Sequence, residues 1–269
     1  MYSYEKGFVK TDSFVMDYVK CGNGKKSLVI LPGVSMKYQT NQGAAFCKAH
    51  EIFLEDFTVY LFDRKRDMTM PYTLFDMARD TKEAIIKLGL KNVYGYGMSQ
   101  GGMILQIIAG ENQGFFEKIA LLSSCCKSNE NLENISNLWM KYAKDGDYES
   151  VNHLVYQNVF SDKFLKKYEK ALPILEKDGT QEECDRFYVQ LCACKNFDIE
   201  KYAEKISCPV FVIGAKGDKV VKEEAIRELR EVTQGDLYLY GEEFGHAFYN
   251  EISDVDKKIF DFFTICCGI

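Results

Sequence analysis

The sequence has no uninterrupted apolar run approaching the ~20 residues that span a bilayer, so no membrane-spanning helix is expected. It has no surplus of positive charge either. Its 34 lysines and arginines stand against 40 aspartates and glutamates, giving a net charge of −6 and a pI near 5.3. That balance carries no electrostatic footprint for nucleic acid or an anionic membrane. No C-x-x-C occurs among the ten cysteines. They fall instead as vicinal pairs (Cys125-Cys126 and Cys266-Cys267), a C-x-C (Cys192 and Cys194) and single thiols. With only three scattered histidines, tetrahedral zinc spacing is missing; neither a metal, another cofactor nor a disulfide framework is expected. The opening residues 1–7 lack the apolar core of a secretory leader. The expectation is a soluble cytoplasmic protein with thiols in a reducing compartment.

What is present has the rhythm of an α/β protein. Runs rich in β-branched and aromatic residues at 14–19, 27–31, 57–62, 92–96, 118–123, 209–214 and 236–240 read as strands. Most are near-continuously apolar, as strands covered on both faces must be. The first, ending at Cys21-Gly22-Asn23-Gly24, reads as one arm of an antiparallel hairpin with the strand at 27–31. Between strands, Leu74, Met77, Ala78, Thr81, Ala84, Ile85 and Leu88 recur at three- and four-residue steps, which predicts an amphipathic helix over 73–88. A closing helix carrying Val255, Ile259, Phe262 and Phe263 is expected to start at Ser253 as its cap.

The alternation breaks between 127 and 203. Helical periodicity runs there at 131–144, 148–159, 161–177 and 180–195 with no intervening strand. A helical insertion in a parallel sheet is most simply a lid over the carboxyl edge of the strands, where open α/β sheets bind ligands. The expected organisation is a core of residues 1–126 and 204–269 with a cap of 127–203.

The most informative pentapeptide is Gly97-Met98-Ser99-Gln100-Gly101, which joins the strand at 92–96 to a helix-like run at 102–109. A serine in a sharp strand-to-helix turn, with glycines two before and two after, projects its hydroxyl outward. A serine hydroxyl needs a base, and the base needs an orienting acid. His50 falls in a helix-like stretch early in the sheet and His153 within the helical insertion. His246 follows the last strand, on a loop from which a base can reach Ser99. Asp218, just after the strand at 209–214, is the acid of choice; Asp236, Glu242 and Glu243 lie too near the last strand and His246. For a developing oxyanion the backbone N–H of Gln100 and that of Val34, after the Pro32-Gly33 turn, are the expected donors. Met36, Met98 and Trp139 are the candidates for an apolar pocket wall.

Together these residues resemble the α/β-hydrolase superfamily. The likeness rests on Leu31-Pro32-Gly33, Asp63-Arg64, the Ser99 elbow, Gly217-Asp218 and Gly245-His246, in the chain order Ser, Asp, His. It implies an eight-stranded, mostly parallel sheet with helices on both faces and a helical cap inserted after the sixth strand. Two positions depart from the pattern: Pro32 replaces the usual histidine before the oxyanion-loop glycine, and Lys65 replaces the glycine usual after Asp-Arg.

The implied activity is that of a serine hydrolase acting on a small or medium acyl ester with an apolar portion, through an acyl-enzyme on Ser99. Thioesterase, aminopeptidase and acyltransferase chemistry use the same machinery, and a slow hydrolase-like ligand receptor is a further alternative. The His-Gly-Gly-Pro-Gly loop and Gly-Gly-Ser-Trp-Gly elbow of proline iminopeptidases are absent.

Overall fold

Alternation of side chains across a twisted sheet accounts for the apolar strands. The computed structural model describes residues 3–177 and 179–265; Cys266 and Cys267 lie outside them. The strands are β1 (Tyr4–Lys10), β2 (Val15–Cys21), β3 (Lys26–Leu31), β4 (Phe57–Phe62), β5 (Val93–Met98), β6 (Ile119–Leu122), β7 (Val210–Ala215) and β8 (Asp236–Tyr240). They form one eight-stranded sheet in the order β1-β2-β4-β3-β5-β6-β7-β8. From β4 to β8 every pairing is parallel; β2 runs antiparallel to both β1 and β4. In β3, Val29 and Leu31 enter one core and Leu28 and Ile30 the other. A central strand with two buried faces has no place for a polar alternate.

Helices α1 (Gly43–Ala49), α2 (Leu74–Lys87) and α3 (Gln100–Glu111) come first. Between β6 and β7 lie α4 (Glu130–Lys144), α5 (Tyr148–Val159), α6 (Asp162–Tyr168), α7 (Leu172–Leu175), α8 (Gln181–Ala193) and α9 (Glu200–Ala203). The chain closes with α10 (Glu223–Thr233) and α11 (Val255–Thr264). Residues of α2, α3 and α10 fill the core on one side of the sheet, and those of α1 and α11 the other. Helix α2 starts where its chemistry directs: Thr73 and Asp76 form a reciprocal capping box. Helix α9 lies against α3, close enough that a side chain at Gly110 would strike the Tyr202 carbonyl. No helix among the described residues is long and apolar enough to cross a membrane.

Three expectations need correction. The hairpin between the strands at 14–19 and 27–31 does not form: β2 pairs with β1 and β4, and β3 sits on the far side of β4. The Gly22 to Gly24 segment crosses the start of β4 instead of turning back. Gly22 has φ +79°, and a Cβ at Gly24 would lie 2.0 Å from the Asp56 carbonyl carbon. The actual hairpin partner, β1, escaped the pattern because only Val9 of its seven residues is buried; charged edge strands carry little hydrophobic signal. The single helix expected at 161–177 is two, α6 and α7. Pro173, in the first turn of α7, has no N–H to continue the α6 ladder. Finally, α11 is headed by Asp254, not Ser253, and makes no side-chain cap bond. The Asp254 carboxylate instead accepts the Tyr240 hydroxyl at 2.6 Å.

Candidate active site

The elbow is built by close backbone approach. Helix α3 begins directly after Ser99, whose φ of 49° and ψ of −118° lie in a region that residues with a Cβ avoid. A Cβ at Gly97 would fall 2.6 Å from the Gly102 Cα, and one at Gly101 only 2.1 Å from the Leu31 carbonyl oxygen. Only glycine lets β5, α3 and the end of β3 meet this closely. The strained turn is held by its neighbours: the Ser99 N–H donates to the Leu122 carbonyl at 2.8 Å, and the Ser124 hydroxyl to the Ser99 carbonyl at 3.0 Å. The Ser99 hydroxyl makes no capping bond to α3.

His246 and Asp218 come together at the same sheet edge. His246 Nδ1 lies 2.8 Å from Asp218 Oδ2, and both residues are buried. The other carboxylate oxygen of Asp218 accepts the Val220 and Val221 amides at 2.8 and 2.9 Å. The aspartate is thereby fixed from both ends, with one oxygen aimed at the imidazole. With Nδ1 facing that oxygen, Nε2 is the ring position left for another partner. Among the described residues no hydrogen bond joins Ser99 to that ring. Catalytic hydrogen bonds often close only in the Michaelis complex.

All three histidines carry a carboxylate on Nδ1: His50 has Asp256 at 2.7 Å, and His153 has Glu176 at 3.0 Å. Pairing therefore distinguishes none of them. Attachment does, because the backbone of His246 is tied to the strand beside Ser99: the Ser123 hydroxyl donates to its carbonyl at 2.6 Å. Ser123 itself sits at φ 45° directly after β6. Sequence reasoning passed over Ser123 because a serine after a buried strand carries no distinguishing pattern.

On the other side of the elbow, Gln100 occupies the first position of α3, where its N–H has no intrahelical acceptor. Val34 follows Gly33, and a Cβ added at Gly33 would stand 3.2 Å from Ser99 Cβ and 3.8 Å from its hydroxyl oxygen. Behind this pair lies a buried polar network that composition and spacing did not disclose. Arg64 donates to the Pro32 carbonyl at 2.9 Å and to the Gln100 side-chain oxygen at 3.1 and 3.3 Å. Burial pulls its guanidinium down to about 10, and its Nη1 has no partner among the described residues. The Gln100 amide group in turn donates to the Gln190 carbonyl at 2.8 Å and the Cys194 sulfur at 3.2 Å. Gln190 bonds Ser35 through both backbone groups, at 2.8 and 3.3 Å. The loop after β3, the elbow and α8 are thus one hydrogen-bonded unit. The available signal was a charged pair, Asp63-Arg64, directly after the apolar run of β4.

The three residues expected at the pocket stand in different surroundings. Met98 lines a cavity of about 580 Å³ that also touches Gly33 and Val34, within the ~300–1,000 Å³ of small-molecule sites. Met36 packs half-buried against the core, and Trp139 is buried beside Phe187 with its indole N–H unpartnered among the described residues. No group of three or more histidine, cysteine, aspartate or glutamate side chains is placed to hold a metal ion among the described residues.

Neither a protein-family model nor a curated protein matches the chain. Its fold does match solved structures. An alpha/beta hydrolase enzyme from a Medee basin deep-sea metagenome library superposes with TM-score 0.85 at 19% identity, covering 98% of each chain. An enol-lactonase from Burkholderia xenovorans follows with TM-score 0.79 at 17% identity, over 96% of this chain and 100% of that one. An esterase from Exiguobacterium antarcticum has TM-score 0.77 at 18% identity, over 97% of this chain and 100% of that one. The protein has the α/β-hydrolase fold. The likeness at these identities is one of architecture, and a fold by itself does not fix the reaction.

Proposed function

We propose that this protein is a serine hydrolase that cleaves a small or medium acyl ester through an acyl-enzyme on Ser99. The observation that carries the reading is the buried Asp218–His246 pair at 2.8 Å, anchored through Ser123 at the edge where the strained Ser99 elbow stands. In this reading His246 Nε2 takes the Ser99 proton as the hydroxyl attacks the ester carbonyl. Asp218 holds the tautomer and stabilises the imidazolium. The amides of Gln100 and Val34 receive the oxyanion. His246 then gives its proton to the leaving alcohol, and afterwards activates water to release the acid. Residues 127–203 act as a cap that covers the site, with α8 tied to the Gln100 side chain and to Ser35.

A fluorophosphonate tests the reading directly, because it labels only a base-activated serine. Mass spectrometry should place the adduct on Ser99, and Ser99→Ala should lose both label and ester turnover. Labelling that persists in Ser99→Ala refutes the assignment. Aryl esters, thioesters and aminoacyl amides with matched acyl groups then rank the bond cleaved, and added alcohol or thiol acceptors reveal any acyl transfer.

A further inference from the structure

The cavity beside the elbow is lined in part by a second histidine that the proposed mechanism leaves unused. One part of its wall is Gly33, Val34 and Met98; another is His50, Tyr96 and Asp256. These last three form a connected set. Asp256 Oδ2 lies 2.7 Å from His50 Nδ1, and Asp256 Oδ1 accepts the Tyr96 hydroxyl at 3.2 Å. The His50 ring is further fixed by Phe46 at 4.7 Å and by the Tyr96 ring, edge-on, at 5.7 Å. With Nδ1 committed to Asp256, the remaining acceptor is Nε2, which has no hydrogen-bond partner among the described residues. Both His50 and Asp256 are only partly buried, so the pair faces the cavity and not a closed core.

We infer that this cavity receives the acyl chain of the substrate, and that His50 recognises a hydroxyl group on that chain. The inference rests on the proposed hydrolase reading and names its substrate class: esters of hydroxylated acids. The direction follows from proton transfer. The leaving alcohol must lie where His246 can protonate it, whereas this cavity, lined by neither Ser99 nor His246, adjoins Ser99 on the oxyanion-loop side, through Gly33, Val34 and Met98. The acyl chain is the part that points this way. The chemistry of the group that meets His50 follows from charge. Among the described residues no lysine or arginine lines the cavity, and the one carboxylate that does is that of Asp256. A carboxylate on the substrate would meet that anion uncompensated. A hydroxyl is neutral and donates to the imidazole lone pair. Apolar residues such as Leu61 and Ile252 line the same cavity, suiting a methylene chain.

The test uses 4-nitrophenyl esters of one medium-length straight-chain acid and of its positional hydroxy isomers, so that the leaving group is constant. At least one isomer is expected to exceed its parent in kcat/KM by about tenfold, the scale of a single hydrogen bond. In His50→Phe the ratio of that isomer to its parent should fall close to one. His50→Gln, which keeps an acceptor, should retain part of it, and His153→Gln should keep the wild-type ratio. A series in which no isomer exceeds the parent, or a preference that survives His50→Phe, overturns the subsite. Calorimetric titration of Ser99→Ala with the corresponding hydroxylated and parent alkyl amides reads the same contact without turnover. Tighter binding of the hydroxylated amide that disappears on adding His50→Phe supports the subsite, and equal binding overturns it. Loss of Ser99-dependent hydrolysis on every ester defeats the reading of the elbow; hydrolysis without hydroxyl preference defeats only the subsite.

Discussion

The Ser123 hydroxyl donates to the carbonyl oxygen of His246 at 2.6 Å, joining the end of β6 to the loop after β8. One residue later Ser124 donates to the Ser99 carbonyl at 3.0 Å. Consecutive serines therefore hold the backbones of the proposed base and the proposed nucleophile. Each side chain can then be aimed without a direct bond between the two.

Ser123→Gly isolates that relationship. Glycine accepts the φ of 45° without strain, so the substitution removes the hydroxyl while sparing the backbone. Stability should fall by about 1–3 kcal/mol for the His246 carbonyl left without its donor, and in the folded protein kcat should fall by about tenfold or more with KM less affected, as for a displaced catalytic group. An unchanged kcat in a folded Ser123→Gly protein would remove Ser123 from the positioning of His246.

Asp218→Asn tests the acid. Asn keeps the shape and can still face the ring, yet it offers no charge to the imidazolium and favours the wrong tautomer. Ester turnover should drop by roughly a thousandfold or more while the fold persists. Circular dichroism beside steady-state kinetics separates the two effects. A near-normal rate would move the acid elsewhere.

Arg64→Met probes the network behind the oxyanion loop. It leaves the Pro32 carbonyl and the Gln100 side-chain oxygen without their donor, at a cost of about 1–3 kcal/mol for each group left buried and unpaired. Part of this is offset by removing a buried charge whose desolvation already pulls its pKa to about 10. Denaturant midpoints should fall, and in the folded fraction kcat should fall more than KM rises, because the Val34 and Gln100 amides lose their support. A rise in stability with normal kcat would show that the network is dispensable.

Tyr240→Phe should reveal a pH-dependent contribution. The Tyr240 hydroxyl, assisted by Lys258 and opposed by partial burial, holds the Asp254 carboxyl below its ordinary range. A carboxyl depressed in the folded state stabilises fully above its unfolded pKa and loses that contribution as pH falls through the folded value. The difference in melting temperature between wild type and Tyr240→Phe should therefore be constant near neutrality and shrink below about pH 4. Asp254 is half exposed, so the difference corresponds to no more than about 1 kcal/mol. A difference that grows on acidification would contradict this account.

Local rules made much of the molecule readable. Strands with two buried faces must be apolar along their length, which is why the runs 27–31 and 57–62 coincide within a residue with β3 and β4; β8, at the sheet edge with only Tyr240 buried, is legible from its Leu-Tyr-Leu-Tyr run between Gly235 and Gly241. Helix α2 was legible because its apolar stripe and its Thr73 cap agree. Misreadings arose where partners are distant. Nothing in residues 22–24 says that β4 will pass beneath them, and β1 shows almost no buried face.

The same division runs through the candidate site. Chain order and turn chemistry alone singled out Ser99, Asp218 and His246, since glycine spacing and loop position are local properties. What the sequence could not contain is the geometry among segments far apart in the chain. The Asp218–His246 contact, the Ser123 tether, the burial of Arg64 and the meeting of His50 with Asp256, 206 residues later, exist only after the sheet is assembled. Hydrogen bonds and desolvation depend on distances of a few ångströms, and those distances are set by packing in three dimensions.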